Sequence, residues 1–250
     1  MIRTVLILLF LVLYLIISLP LLIVEALISA VRPSLKKRAV VFRWVTGGFR
    51  LITLLSGARL TVIGRDRIPA DEPVLYIGNH QSYFDIVISY GLVPSYTGYI
   101  SKDSMKKIPL LSWLMVYVNC LFLDRSDVRQ GLQTILEAIE LIRGGISMAI
   151  YPEGTRNADP DRFMEFHKGS FKIAQRTNCP IVTMTINGSR QIFEDHVPFV
   201  RSAPVILEYG TPFRFSDLSA EDRKSIHTYT AELIRHTYEK NKGALQTDAR

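Results

Sequence analysis

A run of twenty uncharged residues near the N-terminus, Val5 to Val24, constrains this sequence more than any other feature. Leu, Ile and Val dominate the run, and twenty helical residues rise about 30 Å, the hydrocarbon thickness of a bilayer. Arg3 precedes it. The basic residues that follow it are Arg32, Lys36, Lys37 and Arg38. Positive charge therefore gathers on the C-terminal side, which predicts a membrane segment whose C-terminal side faces the cytoplasm.

The segment Lys36–Leu55 predicts a second helix of a different kind. Its apolar residues recur at helical spacing and are Val40, Val41, Trp44, Val45, Phe49, Ile52 and Leu55. Basic residues interrupt them, and a basic amphipathic helix typically lies in the headgroup region. Residues 1–57 are therefore interpreted as membrane-anchoring helices. Pro20 leaves open whether the first helix spans the bilayer or belongs to a monotopic pair, and a cleaved signal peptide is disfavoured because the apolar run is too long.

The overall composition narrows the class of partner. The 250-residue chain is 48% hydrophobic and has a formal net charge of +7, which favours anionic lipid headgroups or an acidic carrier protein. Nucleic acid is not an expected partner, because no nucleic-acid-binding module is recognisable. The two cysteines, Cys120 and Cys179, lie far apart in apolar runs and indicate neither a disulfide framework nor a zinc site.

Residues 58–250 alternate short apolar runs with helical patterns. The strand candidates are Leu60–Ile63, Val74–Ile77, Tyr96–Ile100, Cys120–Leu123, Ile146–Ile150, Ile181–Ile186 and Val205–Tyr209. The helix candidates are Asp85–Gly91, Leu111–Tyr117, Val128–Arg143, Gly169–Thr177 and Ser219–Tyr238. The polar segment from Asn241 is expected to fray. The prediction is an α/β domain with a largely parallel central sheet flanked by helices, preceded by the N-terminal anchoring helices.

His80 is the first candidate for chemistry, because it follows a predicted strand at the sheet edge where catalytic side chains often lie. Asp85 comes five residues later, and the two can meet only if His80 precedes a helix and Asp85 lies one turn inside it. Such a carboxylate fixes the imidazole tautomer and stabilises the charge gained with a proton. Ser82 lacks a nucleophile-elbow motif and suits a helix cap. A base without its own nucleophile suggests that the substrate supplies the hydroxyl.

Basic residues at neighbouring strand ends predict an anion site beside His80. Arg156, in the segment Tyr151-Pro152-Glu153-Gly154-Thr155-Arg156, has a planar fork suited to phosphate. Lys102 and Arg125 each follow another strand candidate, and Lys168 begins a helix candidate. In isolation each is an ordinary surface charge, and Glu153 with Arg156 is equally consistent with a structural ion pair.

These segments resemble the sequence blocks of the glycerolipid acyltransferase family, particularly the bacterial 1-acyl-sn-glycerol-3-phosphate acyltransferases. His80 to Asp85 is similar to the H-x4-D motif of that family, and Tyr151 to Arg156 is similar to its F/Y-P-E-G-T-R block. Leu121 to Arg125 resembles the hydrophobic block that ends in arginine. Cys179 to Met184 resembles the strand block with proline, although Thr-Met stands where Pro-Val is often seen. The blocks occur in family order.

The resemblance implies transfer of a fatty acyl group from acyl-CoA or acyl-carrier protein to the sn-2 hydroxyl of lysophosphatidic acid, giving phosphatidic acid in phospholipid biosynthesis. It implies His80 as general base, oriented by Asp85. The residues implied at the acceptor are Glu153, Gly154, Thr155, Arg156, Arg125 and Lys102. On charge grounds, Glu153 is expected to hold Arg156 or to contact a glycerol hydroxyl. Backbone N–H groups near His80 are candidate oxyanion donors.

No metal or cofactor is required by this chemistry, since the acyl-CoA or acyl-carrier protein is a co-substrate. The enzyme is expected at the cell membrane with its catalytic domain facing the cytoplasm, and an apolar groove including Ile108 to Val118 is expected to set acyl length. Three alternatives stay open. One is acylation of another lysophospholipid or lipid-like alcohol, and another is a membrane-anchored esterase or thioesterase that uses Ser82 or water. The third, which rests only on the net charge, is a non-enzymatic binder of anionic lipid or nucleic acid.

Overall fold

The structure is a computed structural model that describes residues 1–32, 37–124, 126–159 and 162–247. Its helices are α1 (Ile2–Val31), α2 (Ala39–Ser56), α3 (Tyr83–Leu92), α4 (Leu111–Tyr117), α5 (Val128–Arg143), α6 (Lys172–Thr177), α7 (Ala220–Lys224) and α8 (Ile226–Thr247). Its strands are β1 (Arg59–Ile63), β2 (Leu75–Gly78), β3 (Thr97–Lys102), β4 (Leu121–Leu123), β5 (Ser147–Ile150), β6 (Ile181–Asn187) and β7 (Pro204–Tyr209).

The strands form one sheet in the order β1-β7-β6-β2-β5-β3-β4. Neighbouring strands are parallel except for β6 and β7, so β1 and β7 run opposite to the other five. The predicted α/β fold with a largely parallel sheet is confirmed. The carboxyl ends of β6, β2, β5, β3 and β4 meet at one edge, and the loops that follow them are brought together there.

Helices cover both faces of the sheet because side chains along each strand alternate between the faces. In β2, Tyr76 packs with residues of α1 to α4, whereas Leu75 and Ile77 pack with residues of α5, α6 and α8. Helix α5 begins and ends at the predicted residues. Its apolar residues Ile135, Ile139 and Ile142 are buried, whereas Val128 and Leu132 in its first half are exposed.

The C-terminal expectation is wrong in one respect. The polar segment from Asn241 continues α8 to Thr247 instead of fraying. Asn241 is buried, and the Asn187 side-chain amide at the end of β6 donates to the carbonyl of Tyr238 at 2.9 Å. This contact holds α8 against the sheet. The polarity of the segment was therefore not sufficient to predict where the helix ends.

Helices α1 and α2 form an antiparallel hairpin. The indole of Trp44 donates to the Ser18 hydroxyl at 2.8 Å and stacks on Tyr14 with ring centroids 5.1 Å apart. A buried ion pair joins Arg38 to Glu25 at 2.5 Å. Both helices are long and apolar enough to cross a membrane by length and composition. Helix α1 covers the predicted Val5–Val24 segment, and α2 covers the second predicted segment from Ala39 onward. Lys37 and Arg38 precede α2, and Lys36 lies outside the described residues.

Both ends of α1 contact the rest of the molecule. At its start, the backbone N–H of Val200 donates to the Thr4 hydroxyl at 2.8 Å. Near its end, Arg38, held by Glu25 of α1, lies over the Tyr117 ring of α4 at 5.2 Å. The hairpin therefore lies along the α/β body, and buried residues of α1 and α2 belong to the same core as Tyr76.

Candidate active site

His80 and Asp85 are in direct contact. His80 follows β2 in the loop before α3, and Asp85 lies in the first turn of α3. Nδ1 of His80 is 2.9 Å from Oδ2 of Asp85. The Asp85 side chain is fully buried, whereas that of His80 is 13% exposed. With Nδ1 donating to the carboxylate, the imidazole lone pair lies on Nε2, which is the nitrogen available to accept a proton.

The Asp85 carboxylate is held by four donors. Its Oδ2 accepts the backbone N–H groups of Gln81 at 2.6 Å and Ser82 at 2.7 Å, in addition to His80. Its Oδ1 accepts the Ser189 hydroxyl at 2.5 Å. The carboxylate that faces His80 is therefore fixed in place by hydrogen bonds to both of its oxygens.

Ser82 caps helix α3. Its hydroxyl accepts the backbone N–H of Phe84 at 2.9 Å and donates to Oε2 of Glu194 at 2.5 Å. The reciprocal bond, which the Ser82 N–H donates to the Asp85 carboxylate, completes a capping box. Because the Ser82 hydroxyl is fully buried and donates to Glu194, it is not available to His80 as a nucleophile.

The expectation that backbone N–H groups near His80 bind the oxyanion is wrong for residues 80–83. The N–H of His80 donates to Oε1 of Glu153 at 2.8 Å, and those of Gln81 and Ser82 donate to Asp85. The N–H of residue 83 donates to Glu194 at 2.9 Å. All four donors are used to build the loop, a long-range arrangement that the local sequence does not reveal.

Tyr151 forms one wall of the His80 site. The two rings are stacked, with centroids 4.5 Å apart and an interplanar angle of 20°. The Tyr151 hydroxyl lies 2.9 Å from the Ser89 hydroxyl of α3, and burial raises its pKa well above the ordinary value. A Cβ atom on Gly78 would lie 2.8 Å from the Tyr151 ring, so glycine at the end of β2 permits this stacking. The imidazole is therefore held between Asp85 and a neutral tyrosine.

Glu153 binds the His80 loop, because its Oε1 accepts the backbone N–H of His80 at 2.8 Å. The residue is 3% exposed, and its Oε2 has no hydrogen-bond partner within the described ranges. Burial raises the pKa of Glu153 to about 8, although the bond from the His80 N–H lowers it, and the nearby charge of Asp85 raises it further. At neutral pH the protonated form of this carboxyl is favoured, so it can act as a hydrogen-bond donor.

Arg156 is held by a residue that the sequence patterns did not identify. Its Nη1 lies 3.0 Å from Oε1 of Glu194, and its guanidinium carbon lies 3.7 Å from the centroid of the Tyr83 ring. The expectation that Glu153 holds Arg156 is therefore wrong. The Arg156 side chain is 36% exposed and leaves part of its fork open to solvent beside the His80 loop.

The other predicted acceptor residues are less closely associated with His80. Gly154 adopts φ +78° in the turn after β5, and Thr155 is exposed. Lys102 is exposed at the end of β3, two strands away from β2, and makes no ion pair within the described ranges. Arg125 lies outside the described residues. Among the predicted cations that the structure describes, Arg156 is the one that contacts the His80 loop, through the Tyr83 ring.

Two residues that complete the site, Ser189 and Glu194, follow β6 in short 3-10 turns spanning Ser189–Ile192 and Glu194–His196. No local pattern distinguishes them, and each contacts residues more than a hundred positions earlier in the chain. The one signal that could have indicated them is their position after β6. Because β6 and β2 end at the same edge of the sheet, the loops that follow these strands lie close together.

An apolar cavity of about 530 Å³ opens beside the turn after β5 and reaches Tyr151 and Gly154. Its apolar lining includes Ile100, Leu123, Val128, Leu132, Ile135 and Ile150. The segment Ile108 to Val118, expected to form an apolar groove, does not line this cavity, and its α4 portion packs against α1 and α2. Within the described ranges, no cluster of three His, Cys, Asp or Glu side chains is arranged to hold a metal ion.

Comparison with known proteins identifies related sequences over this region. A family model described as Acyltransferase matches residues 59–187, just over half of the chain. The chain is similar to proteins named 1-acyl-sn-glycerol-3-phosphate acyltransferase from three organisms. Identity is 37% over 130 residues for Brassica napus (52% of this chain and 37% of that protein). It is 32% over 195 residues for Cocos nucifera (78% and 60%) and 26% over 180 residues for Borreliella burgdorferi (72% and 72%).

The matched segments thus span between about a third and three fifths of the length of the Brassica and Cocos relatives. Among solved structures, the chain resembles the 1-acyl-sn-glycerophosphate acyltransferase PlsC from Thermotoga maritima. The TM-score is 0.70, the match covers 96% of this chain and 97% of that one, and sequence identity is 22%. The two proteins share the fold from the N-terminal helices to the C-terminal helix.

Proposed function

The chain belongs to the acyltransferase family, and we propose that it transfers a fatty acyl group from a thioester donor to the sn-2 hydroxyl of lysophosphatidic acid, giving phosphatidic acid. The observation that carries the proposal is the contact between His80 Nδ1 and the buried Asp85 carboxylate, which leaves Nε2 as an acceptor. Because Ser82 is committed to capping α3, the attacking hydroxyl comes from the substrate.

In the proposed reaction, Nε2 of His80 removes the proton of the acceptor hydroxyl, and the oxygen attacks the thioester carbonyl carbon. The new ester C–O bond forms, the C–S bond breaks, and the leaving thiolate takes the proton back from the imidazolium as a thiol. Asp85 stabilises the imidazolium while the proton is held. His80 therefore serves first as base and then as acid, and the chain itself is not acylated.

Recognition of the acceptor is assigned to Arg156. Its partly exposed guanidinium is suited to bidentate binding of a phosphomonoester, and it adjoins the loop that bears His80. The Brassica, Cocos and Borreliella relatives are named as acyltransferases of 1-acyl-sn-glycerol-3-phosphate. Because the protonated form of Glu153 is favoured at neutral pH, this carboxyl group would not repel a nearby phosphate anion. These features favour lysophosphatidic acid over a lysolipid without a terminal phosphate.

The donor is acyl-CoA or acyl-carrier protein, and the apolar cavity beside Tyr151 and Gly154 is proposed to hold its fatty chain. A volume of about 530 Å³ lies within the usual range of ligand pockets. Leu132 and Val128 at its rim are exposed apolar side chains of α5. A chain seated there lies next to the turn that carries Gly154, close to the wall of the His80 site.

Membrane association is proposed through α1 and α2, with the catalytic body on the cytoplasmic side. The contacts of both ends of α1 with the α/β body support a hairpin lying on one side of the membrane instead of a spanning helix. Exposed Lys37 and Arg43 would each add about 1 kcal/mol of attraction to an anionic surface. A lysophospholipid can then reach His80 without leaving the leaflet.

The test is acyl transfer by membranes that contain the protein, given labelled oleoyl-CoA and a panel of lysolipids. We expect His80→Ala and Asp85→Asn to lower transfer to lysophosphatidic acid by about a thousandfold. His236→Ala, on the exposed side of α8, is the matched control and should retain activity. Equal transfer by wild type and His80→Ala would overturn the mechanism. Preference for lysophosphatidylcholine would overturn the acceptor, and release of fatty acid without acceptor would favour a hydrolase.

Arg156→Ala tests the acceptor site separately. We expect it to raise the KM for lysophosphatidic acid at least about tenfold, because a charge-assisted pair with phosphate is lost, while the KM for oleoyl-CoA changes little. Arg143→Ala, an exposed arginine of α5, is the control. If only the donor KM rises, Arg156 binds the phosphates of coenzyme A instead.

A further inference from the structure

Glu194 connects three parts of the site. Its Oε1 accepts both Nη1 of Arg156 at 3.0 Å and the backbone N–H of Tyr83 at 2.9 Å. Its Oε2 accepts the Ser82 hydroxyl at 2.5 Å. The Glu194 side chain is 10% exposed, so these donors hold it in a largely desolvated position. The carboxylate is therefore fixed at the N-terminus of α3 before any substrate binds.

Arg156 is fixed in turn by Glu194 and Tyr83. One guanidinium nitrogen is paired with Glu194, and the guanidinium carbon lies over the Tyr83 ring, 3.7 Å from its centroid. A guanidinium has five N–H donors, so this arrangement leaves an edge for another anion. An arginine side chain that is already ordered loses less rotamer freedom when it binds a ligand than a free one does.

We propose that Glu194 is a positioning residue for recognition of the acceptor phosphate, and that it acts by holding Arg156 on the Tyr83 ring with its free edge toward the acceptor. The inference rests on the proposed function, in which Arg156 binds the phosphomonoester of the lysolipid. Glu194 lies beyond residue 187, where the match to the family model ends, and so is not part of the matched motifs.

Two physical effects of Glu194 have opposite signs and can be separated by experiment. As a positioning group, it lowers the KM for the acceptor because it orders Arg156. As a competing anion, it would raise that KM because it neutralises part of the charge of Arg156. The hydrogen bonds of Glu194 to Ser82 and Tyr83 favour positioning, since they keep the carboxylate in place when phosphate arrives.

The experiment measures steady-state kinetics for Glu194→Gln, Arg156→Ala and the double variant with lysophosphatidic acid and oleoyl-CoA. We expect Glu194→Gln to raise the acceptor KM about tenfold, with kcat and donor KM changed less than about twofold. In the Arg156→Ala background the same substitution should have no further effect on acceptor KM, since the group it positions is absent. Asp195→Asn removes a neighbouring carboxylate that pairs with Arg190 and is the charge-matched control.

A fall in acceptor KM for Glu194→Gln would overturn the proposal in favour of competition. An equal rise in both backgrounds would also overturn it, because Glu194 would then act through α3. Tyr83→Leu supplies an independent variant if Glu194→Gln folds poorly. It keeps the backbone N–H that binds Glu194 but removes the ring under Arg156, and it should raise the acceptor KM several-fold. If the wild-type protein prefers a different lysolipid, the proposed acceptor is wrong. The coupling of residues 156 and 194 is then measured with that lysolipid, so the two proposals are tested separately.

Discussion

The Ser189 hydroxyl donates to Oδ1 of Asp85 at 2.5 Å, on the carboxylate oxygen opposite the one that contacts His80. Ser189 and Asp85 are both fully buried. Because Oδ2 already receives three donors, Ser189 is the group that keeps the second oxygen from being buried without a partner. The orientation of the proposed general base therefore depends on a loop at the end of β6.

Ser189→Ala should reduce both stability and turnover. The unpaired buried oxygen costs about 1–3 kcal/mol of unfolding free energy, and a looser carboxylate should lower kcat about tenfold by orienting His80 less well. Thermal unfolding and kcat for acyl transfer measure the two effects. Ser147→Ala is the control, because its hydroxyl binds the backbone N–H of Val74 at the opposite end of the strands. The control should lose stability but retain kcat, and an unchanged kcat in Ser189→Ala would contradict the role given to Ser189.

Glu153 predicts a pH dependence of stability. Its pKa is raised from 4.5 to about 8, so between these values the folded protein binds one more proton than the unfolded chain. The free energy of unfolding should therefore fall as pH rises through this window, by an amount on the order of a few kcal/mol. Glu153→Gln does not titrate there, and its Tm relative to wild type should increase from pH 5 to pH 8. A pH-independent difference in Tm would show that Glu153 titrates as an ordinary carboxyl.

The cavity beside Tyr151 predicts a change in donor preference. Leu132 lines it from α5 and is 60% exposed, so a larger side chain there can be accommodated without unfolding the core. Leu132→Trp should reduce the space for a fatty chain and shift preference from oleoyl-CoA toward lauroyl-CoA several-fold. Competition between the two donors measures the shift. Leu136→Trp, one turn further along α5 and outside the cavity lining, serves as the control.

The exposed face of α1 predicts how the protein binds membranes. Leu13 and Ile17 are four residues apart and are both exposed on the described hairpin. Replacing both by Glu removes apolar contact and adds charge that anionic lipids repel, which should cost several kcal/mol of membrane binding. Flotation with anionic vesicles should show a lower bound fraction. Leu136→Glu on α5 should float as wild type does, and equal flotation of the α1 variant would argue against α1 as the membrane surface.

Much of the fold follows from local patterns. Continuous apolar runs identified the strands within one or two residues, and the predicted bounds of α4 and α5 agree with the structure. The position of Asp85 one turn inside a helix that begins after His80 is likewise local, since both residues lie within six positions. Local patterns predict these features because the spacing of apolar residues within a short segment indicates whether it forms a helix or a strand.

The sequence by itself determined an α/β domain preceded by two apolar helices, a His80–Asp85 spacing that a helix start brings together, and an arginine after β5. Only the tertiary structure decided that Ser189 and Glu194 complete the site, that Arg156 pairs with Glu194 instead of Glu153, and that both ends of α1 contact the body. The physical reason is distance along the chain. These contacts join residues that are distant in sequence and become neighbours only through the order of the strands in the sheet. Such long-range hydrogen bonds produce no periodicity in the local sequence.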